Sequence, residues 1–378
     1  MTQSAFIAGY VRTPFTPARK GALAGMRPDD LGAHAVKALL ERTGVSAADI
    51  EDVVWGCAFP EAEQGLNIGR VVGLLAGLPV TSAGATVNRW CGSAIQAIQM
   101  AGGMIAMGAG DAFVAGGTEC MSRVPMMGFN PLPPPTWSAQ EVQDFVNGGL
   151  TAERVAEQYG LPRADQDRFA FASHTKAMQA QADGRLAAEI APVALGNTRV
   201  AEDGCVRKTS MEKLADLKPA FKADGTVTAG SSSPMTDGAT AVLVCGEAYL
   251  NRTGLAPLAR IRGFAVSGCE PGVMGLGPIA STRKALARAG LTMQDIDIVE
   301  MNEAFAAQAE ACRRDLEIPE EKLNIDGGAI AIGHPLGATG ARLVGKAAQL
   351  LKREGGRYAL ATQCIGGGMG IAMILEAA

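Results

Sequence analysis

The sequence predicts an α/β fold of two similar halves. Each half carries a mixed, mainly parallel sheet, and a loop-rich domain is inserted in the first. Three observations carry this. Short apolar runs of strand character alternate with amphipathic helical runs, as strands joined by crossover helices do. The alternation restarts at Leu258. Between about Glu119 and Thr236 it gives way to Pro- and Met-rich loop and to helices without intervening strands.

Residues 5–11 read as a buried strand that Arg12-Thr-Pro-Phe ends. Residues 31–43 form a helix with apolar positions 31, 35, 36, 39 and 40, capped by Asp29 or Asp30. Residues 53–57 are a second strand, 67–76 a helix and 112–116 a strand. Four prolines within 131–135 exclude regular helix or central strand there. Helical patterns follow over 151–159 and 163–183, and residues 239–245 return to buried-strand character. The second half reads strand 259–266, helix 279–289, strand 296–301 and helix 304–316. A Gly-rich turn with helix follows over 327–351, then strands 357–363 and 371–376. The strand, turn and helix at 85–100 correspond in order to the unit at 323–350. The chain therefore divides into 1–118 with 237–257, an insertion at 119–236, and 258–378.

At 378 residues the chain is long enough for two or three domains with ample core. A net charge of −4 without a basic, aromatic-interleaved patch argues against nucleic acid. The uncharged stretch 90–110 could span a bilayer by length. Its glycines and glutamines fit a helix buried inside a soluble protein instead, so no membrane span is expected. Eight cysteines without C-x-x-C argue against zinc, any other metal site and a disulfide framework. They suit reduced thiols in the cytoplasm.

The stretch Val87-Asn-Arg-Trp-Cys-Gly-Ser-Ala-Ile places Cys91 where a strand turns into a helix. Asn88 and Ser93 are possible caps there. The helix N-terminus favours thiolate over thiol, which makes Cys91 a candidate nucleophile. A lone cysteine is more often a buried structural thiol; three later segments reverse that reading. Asn302 and Glu303 stand at a strand terminus, where α/β folds place their sites, although helix capping explains them equally well. His334 is held between Gly333 and Pro335 in a Gly-rich turn, and the chain has only three histidines. Cys364-Ile-Gly-Gly-Gly-Met-Gly offers free amide N–H groups to an anion. A histidine activating one cysteine, with a second cysteine to move a proton, is the chemistry of acyl transfer with carbon–carbon cleavage or formation.

These segments identify a resemblance. The chain resembles the thiolases, and among them the 3-ketoacyl-CoA thiolases, over essentially its whole length. The resemblance rests on Val-Arg-Thr-Pro-Phe at 11–15, Val-Asn-Arg-Trp-Cys-Gly-Ser at 87–93, Gly-Gly-Thr-Glu at 116–119 and Asp-Gly-Ala at 237–239. It continues with Met-Gly-Leu-Gly-Pro at 274–278, Asn-Glu-Ala-Phe-Ala at 302–306, Gly-His-Pro-Leu-Gly at 333–337 and Cys-Ile-Gly-Gly-Gly at 364–368. It implies a thiolase-like fold and thiolytic cleavage of 3-ketoacyl-CoA through an acyl-enzyme on Cys91.

By that resemblance His334 takes the Cys91 proton and donates to the substrate thioester oxygen, while Asn302 holds a water beside it. Cys364 protonates the departing acetyl-CoA carbanion and deprotonates the incoming CoA thiol. The amides of Cys91 and Gly366 form a second oxyanion site. The insertion holds CoA as co-substrate, with Arg207 near the adenine and Ser233 near the pantetheine, and Ala229, Phe305 and Gly148 are further substrate-binding residues. No permanently bound cofactor is implied. A homodimer or homotetramer is, as is association with other β-oxidation enzymes.

The chain departs from the family pattern at Ala94, Trp90, Ser231 and Pro234. Asn147-Gly148-Gly149 stands where acetoacetyl-CoA thiolases show His-Met-Gly. These departures leave acyl specificity open, with acetyl-CoA acetyltransfer as the alternative. A decarboxylating ketoacyl synthase would need a second histidine where Cys364 stands. A non-catalytic acyl-CoA binder would not need all four of Cys91, Asn302, His334 and Cys364.

Overall fold

The computed structural model describes residues 3–378. The first half runs β1 (Ala5–Arg12), β2 (Thr16–Pro17), α1 (Pro28–Thr43), β3 (Asp52–Gly56), α2 (Ile68–Leu75), β4 (Ala83–Val87), α3 (Ser93–Ala106) and β5 (Ala112–Cys120). The insertion holds α4 (Ala139–Val146), α5 (Gly148–Gln158), α6 (Arg163–Ala182), the hairpin β6 (Val193–Leu195) and β7 (Thr198–Val200), and α7 (Met211–Ala215). The chain returns in β8 (Thr236–Gly246) and α8 (Glu247–Thr253). The second half runs β9 (Ala259–Gly268), α9 (Gly277–Ala289), β10 (Ile298–Met301), α10 (Ala306–Asp315), α11 (Ala329–Ile332), α12 (Leu336–Glu354), β11 (Tyr358–Ile365) and β12 (Met369–Ala377).

In the first half β1, β3, β4 and β5 point one way and β8 the other. In the second, β9, β10 and β11 agree and β12 opposes them. Each half is thus mixed and mainly parallel in direction, as its alternating strands and helices dictate. The strand orders mirror each other, β4-β3-β5-β8-β1 against β9-β12-β11-β10, with a bridge at Leu323 in the place of β4. The halves do not keep separate sheets. β1 and β9 pair antiparallel through Phe6 with Arg260 and Ile7 with Ala259, giving one continuous ten-stranded sheet.

Helices α3 and α12 lie between the halves. Ile95, Ile98, Leu343 and Val344 share one core with Val242 and Val244 of β8 and Ile371 and Met373 of β12. Helices α1 and α2 cover the outer face of the first half, and α9 and α10 that of the second. Both termini that matter for chemistry, the starts of α3 and α12, therefore meet at one place.

Several boundaries differ from the sequence reading, each for a local reason. Neither Asp29 nor Asp30 caps α1; Arg27 is the N-cap, Pro28 opens the helix, and both aspartates lie in its first turn. Neither Asn88 nor Ser93 caps α3; its N-cap is Gly92, without a side-chain bond. Helix α5 starts at Gly148 because the Asn147 carboxamide accepts from Leu150 N–H. Ala304 lies in a bend and Phe305 stays extended, with Ser233 N–H donating to Ala304 C=O, so α10 begins at Ala306. The expected 327–351 helix breaks into α11 and α12 at Gly333, whose φ of 111° L side chains rarely adopt.

Among the described residues no helix is long and apolar enough to cross a membrane. No group of His, Cys, Asp or Glu among them is placed to hold a metal.

Candidate active site

The turn from β4 into α3 presents Cys91. Trp90, immediately before it, has a left-handed φ of 45°, uncommon for a bulky residue and a mark of strain. Asn88 Oδ1 accepts from Trp90 N–H at 2.9 Å, and Ser93 Oγ donates to Trp90 C=O, so local polar groups hold the turn. Cys91 is half-buried and packs against a cluster of Ala58, Phe59, Met121, Val124 and Leu336.

The expected stabilised thiolate is not what the resting site holds. Burial pushes the Cys91 thiol up to about 11, and the Glu119 carboxylate adds to the rise. The amides of Gly366 and of Cys91 itself oppose it. Cys91 precedes α3 rather than capping it, so the helix terminus does not outweigh desolvation. No hydrogen bond joins His334 to Cys91 among the described residues.

His334 is 5% exposed and is held neutral; burial lowers its pKa to about 3. Its ring is oriented at both nitrogens. Thr339 Oγ1 donates to Pro335 C=O at 2.9 Å, so it accepts from His334 Nδ1–H at 2.6 Å. That leaves Nε2 as the acceptor, with Asn302 Nδ2 donating at 3.2 Å. Asn302 Oδ1 is buried without a protein partner. The His334 backbone N–H donates to Thr236 Oγ1 at 3.0 Å, tying the turn to β8.

Cys364 ends β11, is 1% exposed, and packs with Met274, Ala304 and Phe305. Burial, then the facing Cys91, raises its pKa well above the usual thiol range. Gly366 lies directly under Trp90: a Cβ there would come within 2.3 Å of the indole Cε3. Cys91, Gly366 and Cys364 are thus brought to one point, and His334 and Asn302 are paired with each other.

The other expected residues fall in two groups. Arg207 and Ala229 line a cleft of about 160 Å³ together with Ser232 and Ile330. Ser233 lies beside that lining, where its segment runs along Ala304–Ala306. Gly148 and Phe305 lie instead beside Cys364. A Cβ at Gly148 would stand 3.3 Å from Met274 Cε and 3.4 Å from Phe305 Cε2. Met274 and Phe305, not Trp90, occupy the space next to Gly148. Trp90 packs against Phe145 at 5.0 Å and Phe59 at 6.3 Å between ring centroids.

Sequence reasoning assigned no role to Thr339, Thr236 or Glu119 and left Glu303 between a site residue and a helix cap; all four are fully or nearly buried. Glu303 accepts from Ser173 Oγ at 2.6 Å, Asn324 Nδ2 at 2.7 Å and Ile330 N–H at 3.2 Å. It was visible as a polar residue in Asn302-Glu303, but its partners lie far along the chain.

Comparison with known proteins now decides the family. The thiolase N-terminal domain model matches residues 5–248, and the thiolase C-terminal domain model residues 255–377. The chain belongs to the thiolase family. It is therefore an acyltransferase enzyme, and its α/β architecture is the thiolase fold. It is 46% identical to a 3-ketoacyl-CoA thiolase of Bacillus subtilis, over 99% of each chain. It is 45% identical to one from Aliivibrio salmonicida, over 98% of each. The crystal structure of human mitochondrial 3-ketoacyl-CoA thiolase in complex with CoA superposes with a TM-score of 0.92 at 36% identity. That match covers all of this chain and 98% of the human one.

Proposed function

We propose that this thiolase cleaves 3-ketoacyl-CoA with CoA, giving acetyl-CoA and a shortened acyl-CoA, by way of an acyl group on Cys91. The observation that carries this is the pairing of two environments. A neutral His334, whose Nε2 accepts from Asn302 Nδ2, precedes α12, and a neutral Cys91 thiol that the Gly366 amide faces precedes α3.

In the first half-reaction the Cys91 proton passes to His334 Nε2 and the sulfur attacks the C3 carbonyl. The amides of Cys91 and Gly366 face the oxygen that gathers charge, worth roughly 10²-fold or more per donor. The C2–C3 bond breaks, its electron pair goes to C2, and Cys364 gives C2 its proton. Acetyl-CoA leaves. In the second half-reaction the Cys364 thiolate takes the proton of CoA, whose sulfur displaces the acyl group from Cys91. His334 returns its proton to Cys91. A water held by Asn302 serves the thioester oxygen, and Asn302 Oδ1 has capacity to accept from it.

Arg207, Ala229 and Ser233 are proposed to hold CoA along their cleft, and residues 119–236 to form a CoA-binding domain between halves 1–118 with 237–257 and 258–378. We further propose a cytoplasmic homodimer or homotetramer acting in β-oxidation.

Gly148 lacks the side chain that would press Met274 and Phe305 toward Cys364. Met274 is flexible and can yield to an acyl tail. We therefore read the preferred substrate as 3-ketohexanoyl- or 3-ketooctanoyl-CoA over acetoacetyl-CoA. A chain-length series tests this: kcat/KM should rise from four carbons to six or eight. A steady fall over that series would make the enzyme an acetyl-CoA acetyltransferase.

A further inference from the structure

Glu119 ends the motif Gly-Gly-Thr-Glu at 116–119, to which neither half-reaction gives a task. Its carboxylate is fully buried, and every polar group around it is a donor. Oε2 accepts from Ala58 N–H at 2.8 Å and Gly337 N–H at 2.9 Å. Oε1 accepts from Gln64 Nε2 at 2.7 Å and Phe59 N–H at 3.3 Å, with Cys57 Sγ at 3.9 Å. Four donors converging on one group call for an acceptor on both sides. A carboxylate satisfies them; an amide would set its own NH₂ against a donor.

The contact with Gly337 reaches across the molecule, from β5 of one half to the first turn of α12 in the other. The approach there is as close as backbone allows. A Cβ at Gly117 would lie 1.9 Å from Gly337 C=O, and one at Gly56 2.8 Å from the same oxygen. The Gly337 peptide is therefore clamped, its oxygen against two glycines and its N–H on Glu119. Leu336, one residue before, belongs to the apolar cluster against which Cys91 packs, and His334 lies three residues before. A carboxylate at this helix start also meets the positive end of the α12 dipole.

We propose that Glu119 is a positioning residue for the thiolase reaction: it fixes the start of α12, and with it His334 and Leu336, against the Cys91 turn. This rests on the thiolytic reading above. The titratable groups facing Glu119 are Cys57 and Cys91, and those across the site are Cys364 and His334. Removing the Glu119 charge lets Cys91 ionise at lower pH, because that charge opposes the thiolate.

The test compares Glu119→Gln with Glu119→Asp, both first shown folded by thermal unfolding. Glu119→Gln is expected to lower kcat roughly 10–100-fold through misplacement of His334, with KM within about threefold. The pH midpoint for iodoacetamide alkylation of Cys91, followed by peptide mapping, moves down. Glu119→Asp keeps the charge and shortens the reach, so kcat falls while the alkylation midpoint stays. If Glu119→Gln does not fold, Glu119→Asp decides alone. Either folded variant with kcat near wild type, or a Glu119→Gln midpoint that does not move, overturns the proposal. Exchange of label between CoA and acetyl-CoA by the wild-type enzyme checks the thiolytic reading separately, since alkylation needs no turnover.

Discussion

Cys91 and His334 precede equivalent helices, α3 in one half and α12 in the other, and the two approaches are built in opposite ways. The approach to α3 is short and strained. β4 ends at Val87, Trp90 takes a left-handed φ, and the cysteine after it is half-buried. The approach to α12 is long, carries the extra turn α11, and is buried from Asp326 onward. Two buried carboxylates bracket it, Glu303 at Ile330 and Glu119 at Gly337. The comparison teaches a division of labour. A nucleophile must meet substrate, so it sits on a short, half-buried turn. A base must keep one tautomer and stay neutral, so it sits in a dry, braced loop.

The largest expected effects break the nucleophilic side. Cys91→Ala should abolish both acyl uptake from acetyl-CoA and turnover. Cys364→Ala should still load an acetyl group on Cys91 while cleavage and condensation slow by about 10²–10⁴-fold. Intact-mass measurement beside the thiolysis assay separates the two; rapid thiolysis by Cys364→Ala would remove its assigned role. Iodoacetamide should find Cys91 and Cys269 first, the half-buried pair, with acetyl-CoA protecting Cys91 alone.

Next comes the bracing of the base. Thr339→Val leaves His334 Nδ1–H buried without an acceptor, at a cost of about 1–3 kcal/mol. Turnover should fall by roughly tenfold, with KM little changed. The ¹⁵N spectrum of His334 should lose the signature of a single Nδ1–H tautomer. An unchanged spectrum would deny Thr339 this part.

A smaller shift is expected at the acyl end. Gly148→Met must displace Met274, so preference should move toward acetoacetyl-CoA by a few-fold per methylene, at ~0.8 kcal/mol each. Comparing kcat/KM at four and six carbons in both proteins checks this.

A separate effect is on stability. Burial lowers His174 to about 4 and His334 to about 3. Both are depressed below an unfolded value near ~6.5, so the unfolded chain binds more protons at acid pH. Their contribution is fully present above about pH 6.5 and is lost as pH falls through about 4 and then 3. Tm should decline across that window, and His174→Gln should flatten the upper part of the decline.

Much of this was legible in the sequence because it is local. Strand and helix alternation gave the two halves. Glycine and proline around His334 marked a turn with a task, and Cys91 and Cys364 stood beside turns of free amides. What was not legible is set by distant neighbours. The joining of the sheets through Phe6 and Ile7 depends on residues some 250 positions away. The Cys91 pKa follows burial and Glu119, which a helix-terminus argument leaves out. The place beside Gly148 is filled by Met274 and Phe305, from two other segments. Glu119 shows the same limit: its motif was visible, but Gly337, its partner, lies in the other half.

The central claim is that the acyl group rests on Cys91 while Cys364 moves the proton. It is tested most directly by mixing the enzyme with 3-ketohexanoyl-CoA without free CoA and mapping the covalent product by mass spectrometry. A butyryl group on the Cys91 peptide, with an equal amount of acetyl-CoA released, is the predicted result. Acetyl-CoA released without any acyl-enzyme, or the butyryl group on Cys364, would contradict the account.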